Sequence, residues 1–284
     1  QFCKLSNGDM LFFYRDGSSG NGNLGLKRYY TSQKKWKDVK TNLLNGEGKR
    51  NAYPQLWVSK NDEIHLSWVW RETSNAQSNH TMGYAKSTDY GVTWQTSDGK
   101  ELTIPIKLST QETVWDIPQQ TNLINQTSMT TDSAGNPYIS TYYKPSGASC
   151  TDMYCFYFRD GSWKRSKITN RTLDFVLGGV GVLDLPLSRP QIVINSYKGI
   201  ETIYHFYRDY EFDKHLIISR AKIQDTLTWE NSSLSDFDFG GYEPSFDTEL
   251  WKDEGRFHLY AQNILKRTGA PATMAKVMEL QLGF

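Results

Sequence analysis

The chain of 284 residues carries a formal charge of +1, and 38% of its residues are apolar and 14% aromatic, which is the composition of a soluble globular protein. The balanced charge argues against a general nucleic-acid binder, whose domain is usually basic. No apolar run reaches the length of a membrane span, and no secretory leader is recognisable.

Five segments repeat one pattern, in which a turn with Gly, Asn or Asp leads into an alternating strand of aromatic and β-branched residues. In chain order they are NGDMLFFYRDG from Asn7, NDEIHLSWVWRE from Asn61, AGNPYISTYYKP from Ala134, KGIETIYHFYRD from Lys198 and DEGRFHLYAQN from Asp253. They recur every 54 to 73 residues. Units of this length that consist of short antiparallel strands are typical of propeller blades.

Two further features recur in phase with these strands. A short strand that often opens with Pro precedes them, as in YPQLWVS from Tyr53, RPQIVINS from Arg189 and EPSFDTELW from Glu243. Turns that end in tryptophan follow them, at Trp36, Trp94, Trp163 and Trp229. The alternative is a β-sandwich, but the shared phase favours an all-β propeller that forms a single domain over residues 1–284. Because the chain begins inside a blade, we expect further blades before Gln1.

The turn STDYGVTW, which ends at Trp94, has a defined role in this arrangement. The Ser87 and Asp89 side chains are expected to bond nearby backbone amides and tie the hairpin, while Trp94 packs between neighbouring sheets. The motif resembles the Asp-box of sialidase-type propellers, which is a structural marker.

Four of the five repeated strands end in a cation that follows aromatic residues: Arg15, Arg71, Lys144 and Arg208. Equivalent positions of a propeller lie at equivalent heights around one axis, so the pattern predicts a ring of cations at one mouth. Guanidinium groups bind carboxylate or sulfate, and sugar faces stack on aromatic rings. The ring therefore indicates an anionic carbohydrate as ligand.

Histidines and cysteines leave alternatives open. Asn79 and His80 lie on a connection after the second strand, where His80 either contacts a ligand or tethers the loop. His65 alternates with apolar residues and is interpreted as a core histidine. Cys150 and Cys155 form either a local disulfide or two buried thiols. No spacing specific for metal ligands is present.

The segment from FFYRDGSSGNG through NAYPQLWVSKNDEIHLSWVWRETSNAQSNHTMGYAKSTDYGVTW resembles the BNR-4 group of propeller proteins, which includes the ulvan lyases of polysaccharide lyase families 24 and 25. The resemblance extends from Gln1 to about Tyr143. It implies a seven-bladed propeller that cleaves a polyuronate by β-elimination. In that chemistry an Arg neutralises the uronate carboxylate, and a Tyr acts with His as base and acid.

Carried onto this sequence, the resemblance assigns the carboxylate-neutralising role to Arg15. The positions that match the family's base and acid precede Gln1. Residues expected to bind substrate are Asn51, Tyr53, Arg71, Asn79, His80, Gln126, Tyr142, Lys144 and Arg208. The predicted partner is an anionic polysaccharide, with no nucleic acid and no membrane. The chain is expected to be a secreted or periplasmic monomer that needs no cofactor for its chemistry, while a structural metal ion is left open.

Two other functions compete with the lyase. A glycoside hydrolase needs an arginine triad with a Tyr/Glu nucleophile, or a pair of inward carboxylates. The acidic residues that follow ring cations are Asp16, Glu72 and Asp209, and they are interpreted as orienting those cations. The third reading is a propeller that binds glycans without cleaving them, because fold alone does not determine chemistry.

Overall fold

The computed structural model describes residues 1–125, 127–180, 185–264 and 271–283. Within these ranges the chain is an all-β, five-bladed propeller arrangement of antiparallel sheets. Each blade uses consecutive strands in chain order, which confirms the predicted fold class.

The strands of blades 1 and 2 are β1 (Phe2–Lys4), β2 (Met10–Ser18), β3 (Asn21–Tyr30), β4 (Lys35–Asn45), and β5 (Asn51–Val58), β6 (Ile64–Arg71), β7 (Asn79–Ser87), β8 (Glu112–Trp115). Those of blades 3 and 4 are β9 (Ser128–Thr131), β10 (Pro137–Tyr143), β11 (Asp152–Arg159), β12 (Ser162–Lys167), and β13 (Gln191–Tyr197), β14 (Ile200–Asp209), β15 (His215–Lys222), β16 (Glu230–Ser233). Blade 5 has β17 (Ser245–Phe246), β18 (Phe257–Gln262) and β19 (Ala275–Leu280).

The repeated segments form the second strand of every blade. In blades 2 and 3 these strands, β6 and β10, are buried along their whole length. Such burial on both faces explains why they are rich in aromatic and β-branched residues. In β6, Trp68 and Trp70 pack toward blade 1, whereas Val69 packs in the cluster shared with blade 3. The core therefore consists of layers between adjacent blades.

The turn before Trp94 has the hydrogen bonds that its sequence predicts. The Asp89 carboxylate accepts from the backbone amides of Val92 and Thr93 at 3.0 and 2.9 Å, and from the Ser87 hydroxyl at 2.8 Å. Burial alone would raise the pKa of Asp89, but these bonds outweigh it and lower the pKa. Gly91 has a φ of 87°, and a Cβ there would lie 2.3 Å from a Leu26 methyl carbon. The positive φ favours glycine at this position, and the absence of a side chain leaves room for Leu26 of blade 1.

Removing the Asp89 carboxylate is expected to destabilise the protein. Asp89→Ala leaves two backbone amides without their acceptor, so we expect the free energy of unfolding to fall by about 1–3 kcal/mol. Urea denaturation measures the change. Asp225 occupies the corresponding turn of blade 4, where no hydrogen bond to its carboxylate is found among the described residues. Asp225→Ala is therefore the matched control, and equal losses in both variants would contradict the role given to Asp89.

Tryptophans at the ends of these turns join neighbouring blades. Trp94 is fully buried and packs edge-on against Phe13 of blade 1, with ring centroids 6.2 Å apart. Trp163 donates to Glu112 of blade 2 at 2.8 Å, and Trp229 donates to Ser166 of blade 3 at 2.9 Å. Trp36 differs, because it packs on aromatic rings of its own blade and stays 41% exposed.

Blade 5 departs from the predicted strand. The segment from Glu243 gives only the two-residue strand β17, and a helix α1 (Thr248–Glu254) follows. The Asp247 side chain accepts from the Leu250 amide at 2.9 Å and caps the helix, and Gly255 ends it in a left-handed conformation. These two capping residues lie at the two ends of α1, and together they favour a helix over the strand that the repeat pattern predicts.

Cys150 and Cys155 are both free, so the structure supports the buried-thiol alternative. Cys150 lies just before β11, and Cys155 lies within it. Burial raises the pKa of the Cys155 thiol. None of the described helices has the length and apolar character needed to cross a membrane.

Candidate functional site

The first strands of the blades define the propeller axis. Strand β9 contacts both β5 and β13, so the first strands of blades 2, 3 and 4 lie side by side. In blade 2, Asn51 at the start of β5 is paired with Arg71 at the end of β6. The first and second strands are also antiparallel in blades 1, 3 and 4. The cations at the ends of the second strands therefore belong to one mouth of the propeller, where the first strands begin.

At this mouth the structure brings together Arg15, Tyr53 and Arg71. The Arg15 guanidinium lies 5.4 Å from the centroid of the Tyr53 ring, and that of Arg71 lies 5.5 Å from it. The phenol oxygen is 3.5 Å from Nη1 of Arg71 and 2.7 Å from the Ser19 hydroxyl. A half-buried phenol thus lies close to two cations that come from different blades.

The hairpin between β2 and β3 positions Ser19. Gly20, at the tip, has a φ of 79°, and a Cβ there would lie 2.7 Å from the Glu72 carbonyl oxygen. The tip therefore rests directly on the backbone that follows β6. This close packing holds the Ser19 hydroxyl against Tyr53 of the next blade.

Arg71 is fixed by backbone carbonyls and forms no ion pair with a carboxylate in the described part of the chain. Its Nε donates to the Thr73 carbonyl at 3.0 Å, and its Nη2 donates to the Ser74 carbonyl. Arg15 is exposed and forms no ion pair among the described residues. Both guanidinium groups keep their positive charge uncompensated, so this part of the mouth favours an anion.

The same surroundings act on the phenol. Burial alone would raise the pKa of Tyr53, but the Ser19 hydrogen bond and the positive charges of Arg71 and Arg15 outweigh it and lower the pKa. Other tyrosines near the axis behave in the opposite way. Burial raises the pKa of the fully buried Tyr142 well above its ordinary range.

The other two cations of the predicted ring, Lys144 and Arg208, already have partners within the protein. Lys144 is paired with the Asp174 carboxylate at 2.5 Å. Arg208 is fully buried, and its guanidinium donates to the carbonyls of Tyr242 at 2.9 Å, Leu185 at 2.5 Å and Pro186 at 3.3 Å. The expectation that Arg208 contacts a ligand is wrong, because the buried side chain donates its hydrogen bonds to backbone carbonyls inside the protein.

Several other expected ligand contacts are also buried. Asn51 and Tyr142 have no exposed surface, and Asn79 is 1% exposed and donates to the Leu123 carbonyl at 2.8 Å. These three side chains present almost no surface to a polymer, which corrects their assignment. Gln126 lies outside the described residues.

His80 takes the tethering role of the two alternatives. Its Nε2 is 2.6 Å from a Glu72 carboxylate oxygen, and its Nδ1 is 3.1 Å from the Thr81 hydroxyl. Glu72 also accepts from Nε of Arg50 at 2.7 Å. Glu72 therefore binds Arg50 and His80 and does not orient Arg71. Asp209 likewise binds Arg171, at 2.8 Å, instead of Arg208.

Sequence reasoning missed Ser19 and a second polar cluster at the mouth. Arg189 donates twice to Asn125 of blade 3, at 2.9 and 3.0 Å, and pairs with Glu243 of blade 5 at 2.6 Å. Tyr53, Arg189 and Glu243 each precede a proline at the start of a first strand. Their shared position before a proline was the sequence signal that could have identified this cluster. Among the described residues no group of three His, Cys, Asp or Glu side chains is placed to hold a metal ion.

Comparison with known proteins extends these observations. A family model described as "BNR repeat-containing family member" matches residues 1–171, which is more than half of the chain. No curated protein sequence matches at a significant level.

Among solved structures, the polysaccharide lyase Uly1 is 15% identical with a TM-score of 0.66, over 99% of this chain and 57% of its own. A PL25 ulvan lyase bound to -[GlcA(1-4)Rha3S]- is 12% identical with a TM-score of 0.69, over 100% of this chain and 64% of its own. The GH93 α-L-arabinofuranosidase of Fusarium graminearum is 12% identical with a TM-score of 0.53, over 97% of this chain and 79% of its own. At such identity the likeness shows the propeller fold, and the chain spans less than two thirds of the length of either lyase.

Proposed function

The chain belongs to the BNR repeat-containing family, and on that premise we propose that it is a polysaccharide lyase that cleaves a uronate-containing, sulfated polysaccharide of the ulvan type by β-elimination. The observation that carries the proposal is the pair of guanidinium groups, Arg15 and Arg71, that lie beside Tyr53 and have no carboxylate partner among the residues that the structure describes. The solved lyases of the same fold support it. Because a polysaccharide does not cross a membrane unaided, the proposal also places the protein outside the cytoplasm.

Arg15 is the residue proposed to bind the uronate carboxylate. The C5 proton of a uronate becomes acidic enough to remove only when the charge of the adjacent carboxylate is compensated and donors await the developing negative charge. Arg15 is exposed and carries a planar fork of donors that matches a carboxylate. Arg71, fixed behind Tyr53, adds positive potential without needing to move.

The alternative of a hydrolase receives less support from the site. Hydrolysis of a glycoside uses two carboxyl groups about 5–9.5 Å apart across the scissile bond. Asp16 and Glu72 directly follow the two arginines in sequence. Glu72 is occupied by Arg50 and His80, so the two do not form a free pair. The likeness to an arabinofuranosidase concerns the fold alone.

Incubation with ulvan separates the candidate functions. A lyase is expected to generate an unsaturated end, which is followed by ultraviolet absorbance, in step with new reducing ends. Reducing ends without that absorbance would indicate a hydrolase, and binding without either product would indicate a glycan-binding propeller. Carboxyl-reduced ulvan is the matched substrate control: because it keeps the sulfate and lacks the carboxylate, its cleavage at the normal rate would contradict the proposed role of Arg15.

A further inference from the structure

We propose that a groove between blades 2 and 3, lined by Trp115, Lys144 and Arg165, is a second binding site for the polymer, in which Arg165 holds a sulfate ester. This inference rests on the proposed substrate class and deepens it. The groove, called the outer groove below, has a volume of about 550 Å³. None of the described residues that line it belongs to the site around Tyr53.

The outer groove lies on the mouth side of the propeller but farther from the axis. Trp115 ends β8 and Arg165 lies within β12, and these are the outermost strands of their blades. Lys144 and the turn 145–148 follow β10 at its mouth end and form the inner wall of the groove. A long polymer held at the mouth can therefore extend outward into this groove.

Three aromatic rings hold the Arg165 guanidinium in place. Its carbon lies 5.1 Å from the centroid of the Trp115 ring, 5.0 Å from that of Tyr154 and 5.9 Å from that of Tyr143. Its Nη1 also donates to the Tyr143 hydroxyl. Contacts of this kind orient a guanidinium without neutralising it. Arg165 nevertheless stays exposed, so N–H donors remain available to a ligand.

The positive charge of Arg165 is uncompensated. Arg165 forms no ion pair among the described residues. Burial raises the pKa of Tyr154 to about 12 and also raises the pKa of Tyr143, so both phenols stay neutral beside the guanidinium. The rings therefore supply position, and the charge is left for a ligand.

The other charged groups of the outer groove already have partners. Asp116 lines the groove, and its Oδ1 accepts from the Thr81 hydroxyl at 3.0 Å. Lys144 is paired with the Asp174 carboxylate at 2.5 Å. Among the described lining residues, Arg165 is thus the cation that can bind the negative charge of a ligand.

The surroundings of Arg165 favour a sulfate ester over a carboxylate. A guanidinium is weakly hydrated and forms parallel hydrogen bonds to two oxygens of one group. A sulfate ester spreads a single negative charge over three terminal oxygens, so it loses little hydration beside aromatic rings. A carboxylate concentrates the same charge on two oxygens and costs more to desolvate. Gln120 and Ser146 line the same groove and offer amide and hydroxyl donors for the third sulfate oxygen.

Binding of ulvan tests the outer groove without turnover. Affinity is measured by electrophoresis through gels that contain ulvan, with Arg15→Ala as the parent protein so that cleavage is slow. Arg165→Gln keeps a side chain over the rings and removes the charge, and we expect it to weaken binding by about 10- to 100-fold, the size of effect of a hydrogen bond to a charged group. The matched control is Arg159→Gln, because Arg159 lies over the Tyr157 ring at the other end of the same blade. Unchanged binding in Arg165→Gln, or an equal loss in the control, would overturn the inference.

Chemically altered ulvan identifies the anion that Arg165 holds. The difference in affinity between the parent protein and Arg165→Gln is expected to disappear with desulfated ulvan and to persist with carboxyl-reduced ulvan. The reverse pattern would show that Arg165 holds a carboxylate and would overturn the sulfate assignment. If the wild type cleaves no polyuronate while its binding of sulfated ulvan depends on Arg165, the lyase proposal fails and the second site stands.

Cleavage kinetics show whether the outer groove is separate from the cleavage site. In the otherwise wild-type protein, Arg165→Gln is expected to raise KM for long ulvan with kcat unchanged, because the groove binds substrate and transition state equally. For the shortest fragment that is still cleaved, KM is expected to stay that of the wild type. Arg165→Lys keeps the charge but loses the planar fork, so we expect an intermediate KM for long ulvan. An equal rise in KM for long and short substrates would place Arg165 in the cleavage site and overturn the inference.

Discussion

Arg15→Ala is expected to lower kcat/KM for a uronate polymer by about 10²- to 10³-fold, the size of effect seen when one preorganised donor to a developing anion is removed. Arg15 is exposed and forms no ion pair among the described residues, so its removal is expected to change the free energy of unfolding by less than about 0.5 kcal/mol. Arg15→Lys keeps the charge but loses the bidentate fork, and we expect an intermediate rate. The initial rate at which ultraviolet absorbance increases is measured for the wild type, Arg15→Ala and Arg15→Lys.

Arg15 gives a cleaner test than Arg71. Arg71 also holds the Thr73 and Ser74 carbonyls, so its truncation disturbs the loop as well as the charge. Arg256→Ala is the matched control, because Arg256 is an exposed arginine on blade 5 whose partners are Glu254 and Glu279. Wild-type turnover in Arg15→Ala, or an equal loss in Arg256→Ala, would remove Arg15 from the proposed mechanism.

The fold was predictable from the sequence because it repeats. Each repeated strand has the same alternation and the same turn chemistry, and these are local properties that a single sequence displays. The prediction failed at Glu243–Trp251, where the Asp247 cap ends the strand and begins a helix that Gly255 terminates. Local signals of this kind decide an element when the repeat is weak, as it is in blade 5.

The site was predictable only in part, since its members come from different blades. The sequence predicted Arg15 and Arg71 at one mouth, and in the structure both guanidinium groups lie beside the Tyr53 ring. It did not show that Arg208 would turn inward to three carbonyls, or that Glu72 would bind Arg50 and His80. Burial and pairing depend on which loop lies opposite each side chain. The same holds for Ser19, whose approach to Tyr53 depends on the close packing of Gly20 on blade 2.

We expect the free energy of unfolding to fall markedly in mild acid because two histidines are buried. His65 and His205 are fully buried, and each bonds through Nδ1 only, to the Tyr84 hydroxyl at 2.7 Å and the Ser140 hydroxyl at 3.0 Å. Their Nε2 atoms have no partner among the described residues. Burial lowers the pKa of each to about 3, and for His65 the charge of Lys86 adds to the effect.

The sign of the pH dependence follows from these values. In the unfolded chain a histidine binds a proton below its ordinary pKa of 6.5, whereas in the folded protein each stays neutral down to about 3. The unfolded state therefore gains protons first, and stability is full above about pH 6.5 and falls as the pH drops toward 3. The loss is about 1.4 kcal/mol per pH unit for each histidine, or about 2 kcal/mol each at about pH 5.

Urea denaturation between neutral pH and about pH 5 measures this slope before the carboxylates with lowered pKa, such as Asp9 and Asp89, begin to titrate. His205→Gln keeps a hydrogen-bonding group beside Ser140 and removes the titrating ring, so we expect it to remove about half of the acid-induced loss. His65→Gln is expected to remove the other half. His215→Gln, at a partly exposed histidine, is the matched control. A slope that neither core replacement reduces would show that the two buried rings do not cause the acid sensitivity, because a ring kept neutral by burial would link folding to proton release in this range.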